Sequence, residues 1–415
     1  MARLPIKWLL RSLFLTSIMR SKIILRPALA ILNILSSTKS PLLNADKNGI
    51  LKRLVRLAVY DQFCAGANHA EVSKTIAQVK GMGYQGVILG YSKEIMLDPK
   101  DHPSRGHLGS KKYSDRCYEM VEEWKEGTLR TLRMLDQGDF LAVKLTGAGP
   151  IAVDAMVAHE PMPDILAKAV DAICLETAKQ GSRLWLDAEQ QALQPGLDQW
   201  AMAMMRKHNR SEMPVVYNTI QAYLKGSKAN VNEHIKRAAL EGWSLGIKLV
   251  RGAYIEHEIR SLIHDTKEET DQSYNWIADT LLCRRVPDDL QRPFPHAALF
   301  LATHNAASTV KATATYQERL DTGLPTTYLE CGQIQGMADE LSCELLGKYE
   351  SQLPSHKAAI PRIFKCLTWG SVAECMGYLH RRAIENRDAV ERTQHMKVAL
   401  QKELWRRIFR MKDRA

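Results

Sequence analysis

Hydrophobic positions along the chain fall into short apolar, β-rich runs separated by stretches of helical periodicity. The runs predict strands at Gly86–Leu89, Phe140–Leu145, Arg183–Asp187, Pro214–Asn218, Gly246–Arg251, Ala298–His304, Thr327–Glu330 and Ile363–Leu367. Helical spacing fills the gaps, as at His69–Lys80, Ile165–Lys179, Leu197–Arg206 and Asn232–Glu241. Eight strands alternating with helices suit an α/β fold closed as a distorted (β/α)8 barrel better than an open doubly wound sheet. Lys144, Asp187, Asn218, Arg251, His304 and Glu330 each come at or just after a predicted strand C-terminus. That is the face of a barrel where catalytic groups collect, and closure would bring the six together.

Two stretches interrupt the alternation. Residues 91–139 form a long excursion whose charged tract, Lys111–Glu126, reads as a surface helix, and residues 265–296 read as an insertion between the fifth and sixth strands. The expected organisation is a basic targeting segment or helical arm over 1–60, one barrel domain over 61–390 and a basic C-terminal helix over 391–415.

Charge alters this picture at the two ends. Residues 1–45 carry seven basic groups and no acid, and residues 391–415 carry eight basic and three acidic groups. The formal net charge is +11, so residues 46–390 sum to about −1, which argues against a nucleic-acid-binding domain. The acid-free, Arg-, Ser- and Leu-rich start has the composition of a mitochondrial presequence, and equally of a helical arm packed on the domain. Arg11, Arg20 and Arg26 break its apolar runs before they reach the ~18 residues of a membrane span. The eight cysteines show no Cys-x-x-Cys spacing, so free thiols are expected and a structural zinc site is not; no His-Glu-x-x-His metal motif occurs.

Four motifs bear on chemistry. Gly81-Met82-Gly83-Tyr84-Gln85-Gly86 fits G-x-G-x-x-G, but it closes a helix and leads into a strand, the reverse of a dinucleotide fingerprint. Lys248-Leu249-Val250-Arg251-Gly252-Ala253-Tyr254 ends a strand in basic residues, then turns through small ones that let a flat ring or a phosphate approach the backbone. Thr303-His304-Asn305 sets three polar groups at the exit of an apolar strand. In Tyr378–Asn386, helical spacing gives Tyr378, Arg381, Arg382 and Glu385 one face, where two guanidiniums beside a phenol can hold a small carboxylate. A solvated face with an Arg381–Glu385 pair is the plain alternative.

Taken in order, these motifs resemble the proline dehydrogenase (proline oxidase) family of mitochondrial flavoenzymes, in its filamentous-fungal form. Gln62–Gly66, Val143–Thr146, Leu186–Gln190, Tyr217–Tyr223, Lys248–Tyr254, Ala302–Asn305, Gly332–Met337 and Tyr378–Asn386 carry the likeness, over roughly residues 60–390. The resemblance implies a distorted barrel that binds FAD without a Rossmann domain. It assigns Arg381, Arg382 and Lys144 to the proline carboxylate, Tyr254 and Tyr378 to the ring, and Asp187 to orienting Lys144 or the arginines. Gln221, Lys248, Arg251, Gly252, Ala253, Thr303, His304, Asn305 and Glu330 form the expected flavin set. In bacterial members the two basic residues are exchanged, Arg standing at the position of Lys248 and Lys at that of Arg251. Cys366 stands where many members carry a tyrosine against the substrate ring, which keeps hydroxyproline open as substrate. The implied reaction is oxidation of L-proline to Δ1-pyrroline-5-carboxylate, with electrons passed to a quinone at the matrix side of the inner mitochondrial membrane. Outside this class stand a barrel lyase or aldolase with Lys144 or Lys248 as Schiff base, and a non-enzymatic membrane-surface protein.

Overall fold

The structure is a computed structural model that describes residues 1–20, 22–37, 40–92, 112–255, 258–352, 361–387 and 390–412. Its strands are β1 (Cys64–Gly66), β2 (Gly86–Tyr91), β3 (Phe140–Val143), β4 (Arg183–Leu186), β5 (Val216–Gln221), β6 (Leu245–Val250), β7 (Ala297–Ala302), β8 (Tyr328–Ile334) and β9 (Arg362–Trp369). Hydrogen-bonded neighbours run β1-β9-β2-β3-β4-β5-β6-β7-β8, and β9 also pairs with β8. Strands β2 to β9 therefore close into the expected eight-stranded parallel barrel, with the short β1 added on β9. All eight predicted strands are present. Their ends shift where polar residues continue the ladder, as in β5, which runs on through Asn218 and Thr219 to Gln221.

Two compact units divide the chain, residues 94–332 with 351–364, and residues 1–93 with 333–350 and 365–415. In the first, β3 to β7 pair in parallel register, from Phe140↔Arg183 through Ala302↔Gly332 on β8. The rings of Phe140, Trp185, Phe300 and Phe364 fill the interior with centroids 5.0–5.6 Å apart, mostly edge to face. Arg183 lies 4.0 Å over Phe140 and pairs with Glu330 at 2.6 and 2.8 Å, while Tyr217 accepts a further bond from it at 3.1 Å. Residues 265–296 are the crossover itself rather than an addition to it. Helix Lys267–Leu282 opens on a Thr266/Glu269 capping box and packs on β6 and β7. Helix Asp115–Leu132 forms part of the expected excursion, of which residues 93–111 lie outside the described residues.

In the second unit the glycine motif acts as a stop. Helix His69–Gly81 ends there, Gly83 turns at φ +100°, and β2 begins at Gly86. The N-terminal segment is an integral arm. Leu15 and Leu32 belong to the same core cluster as Tyr60, Phe63, Met376 and Leu379, and Gln62 donates to the buried Ser12 hydroxyl at 2.9 Å. Arg11 pairs with Asp61 at 3.0 Å. Lys365, fully buried on β9, is satisfied by Asp339 at 2.7 Å and by Ser342 and the Met337 carbonyl at 3.2 Å.

Candidate functional site

Strand ends of the first unit hold two groups of polar side chains. Directly after β3, Lys144 donates to the Tyr254 hydroxyl at 3.2 Å, and that hydroxyl donates to the Ala188 carbonyl at 3.2 Å. One residue past β4, Asp187 accepts from Lys248 of β6 at 2.5 Å, and the ammonium lies 4.3 Å over the Trp185 ring. Lys248 thus pairs with Asp187, and Lys144 hydrogen-bonds Tyr254. Gly252, at φ +143°, holds its turn against Tyr223; a Cβ there would come 2.4 Å from that ring. Tyr223 thus gives the glycine a packing reason at this turn. Ala253 follows in the same turn, exposed.

Arg251 organises the second group. Its guanidinium donates to Asp271 at 2.7 and 3.0 Å, to Thr303 at 2.5 Å and to Ser308 at 2.9 Å, and lies 4.4 Å over Tyr274. Burial works against the Asp271 carboxylate, but Lys267 and Arg251 outweigh it and hold its pKa below the usual range. Asn305 caps helix Ala306–Asp321 by accepting from the Ser308 amide at 3.0 Å, which gives this residue a structural reason to be there. His304, between Thr303 and Asn305, is half-buried. At the end of β5, Gln221 donates to the Glu189 carbonyl at 3.1 Å while its amide oxygen stays buried without a hydrogen-bond partner.

Two residues read as members of the C-terminal face lie elsewhere. Glu330 is third in the seven-residue β8, and its carboxylate belongs to Arg183, the first residue of β4 and so at the opposite end of the strands. Asn218 is mid-β5, and its amide meets Asp198 at 2.8 Å and His234 at 3.0 Å on the flanking helices. Sequence reasoning missed Asp271, hidden in the supposed insertion, and Glu258. The Glu258 carboxylate takes the Gln191 amide at 3.0 Å on each oxygen and the Tyr223 hydroxyl at 3.1 Å. It thereby ties the segment that follows Tyr254 to the exits of β4 and β5. Burial pushes its pKa up against those two donors. The capping box at Thr266 was the available signal for Asp271; Glu258 had none.

Helix Met376–Arg387 in the second unit carries the double arginine. Arg382 is buried, 6% exposed, with its guanidinium 5.3 Å over the Tyr378 ring, and Arg381 is half-buried beside it. Burial pushes the Tyr378 hydroxyl well up, the Arg382 charge pulling the other way, with the Cys64 and Cys366 thiols near. That hydroxyl is buried, and Thr368 lies beside it but outside hydrogen-bond geometry. The Glu385 side chain lies outside the described residues. Leu379 and Met376 seat the helix in the core cluster, and helix Lys22–Ser37 packs along it. Of the described members of this face, Arg382 is buried and Tyr378 and Arg381 are half-buried.

A family profile described as Proline dehydrogenase matches residues 72–395, which takes in both sets of side chains. The chain belongs to the proline dehydrogenase family. The probable mitochondrial proline dehydrogenase of Schizosaccharomyces pombe is 28% identical over 402 residues, covering 85% of this chain and 80% of its own. Hydroxyproline dehydrogenase of Rattus norvegicus is 28% identical over 417 residues, covering 86% of this chain and 83% of its own. The fold is shared with proline utilization A from Bdellovibrio bacteriovorus, inactivated by N-propargylglycine, at a TM-score of 0.62 and 18% identity. That match covers 89% of this chain and 38% of the bacterial one. As a member of the proline dehydrogenase family, the chain is an enzyme, which removes the non-enzymatic alternative.

Proposed function

We propose that this proline dehydrogenase homologue oxidises L-proline to Δ1-pyrroline-5-carboxylate with bound FAD, passing electrons to a membrane quinone in the mitochondrion. The observation that carries the substrate is the helix with Arg381 and the buried Arg382 against Tyr378. Fixed guanidiniums beside an aromatic face suit a small carboxylate joined to an apolar ring. A flavin fits the strand ends on the chemistry of their side chains. Gln221 offers a buried acceptor without a partner, Lys248 and Arg251 are donors at neighbouring strand ends, and the Thr303 hydroxyl lies beside Arg251. Gln221, Lys248, Arg251, Thr303, His304 and Asn305 would hold it. Glu330, committed to Arg183, has no part in that role. Bound FAD would supply the two-electron acceptor that the protein's own side chains lack.

The side chains bind and orient. Arg381 and Arg382 take the carboxylate, and Tyr378 shields the ring from water. The Lys144–Tyr254–Ala188 chain fixes the phenol and the ammonium in one geometry, and Asp187 does the same for Lys248. Positive charge at the strand ends favours electron density arriving there. A Schiff-base lyase is disfavoured because Lys248 is ion-paired with Asp187 and Lys144 hydrogen-bonds Tyr254. Arg381→Met or Arg382→Met should raise the KM for proline by an amount equivalent to about 2–5 kcal/mol, with flavin absorbance retained. Near-normal proline kinetics in both variants would remove the carboxylate assignment.

Localisation rests on relatives named as mitochondrial and on the acid-free, basic start of the chain. Because that start is also packed structure, it would act as an address that stays with the fold. A reporter carrying residues 1–45 should enter energised mitochondria and remain outside when the potential is collapsed; a cytosolic reporter would leave the segment a structural arm only.

A further inference from the structure

The polypeptide leaving β6 folds back over the exits of β5 and β4. Its beginning and its end both rest on β5: the Arg251 carbonyl accepts from the Tyr223 amide at 2.8 Å, and the Leu262 carbonyl accepts from the Lys225 amide at 2.9 Å. Leu224 and Ile263 add an antiparallel bridge. Between these points the contacts go to the exit of β4 instead. The Tyr254 hydroxyl donates to the Ala188 carbonyl, and the Glu258 carboxylate accepts from the Gln191 amide at 3.0 Å on each oxygen. In the sheet β5 separates β4 from β6, so these bonds reach across a strand and continue no ladder.

Burial along this stretch is inverted. Ile255 and Ile259 are 58% and 55% exposed, while the acid between them, Glu258, is turned inward and half-buried. Apolar side chains left in water do little to hold a segment down, so the carboxylate carries that task here. Its partners, the Gln191 amide and the Tyr223 hydroxyl at 3.1 Å, are both donors, as an anion withdrawn from water requires. Tyr223 links this contact to Tyr254. Glu258 holds its hydroxyl, and its ring lies against Gly252, where the turn that presents Tyr254 begins.

We propose that Glu258 is a positioning residue for the substrate ring: through the Tyr223 hydroxyl and the Gln191 amide it holds the turn that carries Tyr254. The inference rests on the reading of Tyr254 as a wall of the proline site and deepens it. Glu258 itself touches neither substrate nor cofactor in this account. A wall held in place serves the bound ring and the reacting ring alike, so its loss belongs in KM and not in kcat.

Proline kinetics with Glu258→Ala, Tyr254→Ala and the double variant of the full chain test this. Glu258→Ala should raise KM about tenfold, the worth of hydrogen bonds to a charged group, and leave kcat within about threefold. In the Tyr254→Ala background the same substitution should raise KM no further, because the side chain through which it acts is gone. Glu258→Gln keeps the length and one acceptor oxygen, so it should show a smaller rise of the same kind; it also serves the comparison should the alanine variant not fold. Trypsin gives a readout independent of turnover. Cleavage after the exposed Arg260 should be at least about tenfold faster in Glu258→Ala, with thermal unfolding of the whole chain little changed. An unchanged KM in Glu258→Ala, a loss confined to kcat, or effects that add with Tyr254→Ala would each overturn the assignment. A Tyr254→Ala variant with ordinary proline KM would strike the ring-wall reading and this inference with it, even where trypsin shows that Glu258 holds the turn.

Discussion

The resemblance would place the Cys366 thiol where many family members set a phenol against the substrate ring, a change in size as well as polarity. Cys366 is half-buried on β9, near the Tyr378 phenol. As a wall of the proposed site, the smaller side chain would admit a hydroxyl on the pyrrolidine ring and pack less against the unsubstituted one. Apolar pockets reject an added hydroxyl only weakly, by roughly a hundredfold at best. Proline should therefore be the main substrate, with measurable turnover of hydroxyproline, and Cys366→Tyr should lower hydroxyproline activity more than proline activity. Steady-state kinetics with both substrates checks this; an equal loss on both would show that position 366 does not sense the ring. Residue types at strand ends were readable from the sequence for Lys144, Asp187, Lys248 and Arg251, but their partners were not. Pairing depends on which strands become neighbours and on side-chain reach, as in the Lys248–Asp187 and Lys144–Tyr254 contacts. Glu330 and Asn218 were misplaced for one reason. Polar residues Gly332-Gln333 and Thr219 ended the apolar runs early, while the backbone ladders continued past them and left both side chains mid-strand.

Helix boundaries carry much of what positions the site. Asn305 and Thr266 are N-caps whose helices bring Ser308 and Asp271 to Arg251. The helix beginning at Lys267 went unread because the stretch ends in Arg284-Arg285 and a proline-containing loop, which dilute its apolar period even though the capping box marks its start. At the C-terminus, a different element is held by charge. Arg406 and then Arg407 pull Glu403 down from its ordinary value of 4.5 to about 2, against the effect of desolvation, and Arg407 also donates to the Leu4 carbonyl at 2.8 Å. A carboxylate whose folded pKa is depressed contributes stability above its unfolded value, and loses it as pH falls through the folded one. Glu403→Gln should thus lower stability by about 1 kcal/mol at neutral pH, allowing for solvent screening. The difference from the unaltered chain should shrink between about pH 5 and pH 2. Thermal unfolding across that range is the check; a constant difference would mean the ion pairs do not set it.

For the molecule as a whole, strand count and alternation were enough to give a closed barrel, because eight buried parallel strands with helical crossovers leave few other architectures. The standing of the first 45 residues was not readable. A presequence and a packed arm share the same acid-free, Leu- and Arg-rich composition, and the burial of Ser12, Leu15 and Leu32 against the core is packing that composition does not reveal. Family membership names a class of enzyme, while the flavin and the substrate are claims about chemistry at the strand ends and on the double-arginine helix. The direct test of both is an anaerobic titration of the purified, full-length chain with L-proline, followed by flavin absorbance. Bleaching of a bound flavin by proline is expected, with the midpoint raised about thirtyfold or more in Arg382→Met while the oxidised spectrum is kept. A colourless yet active protein, or a bound flavin that proline leaves oxidised, would contradict it.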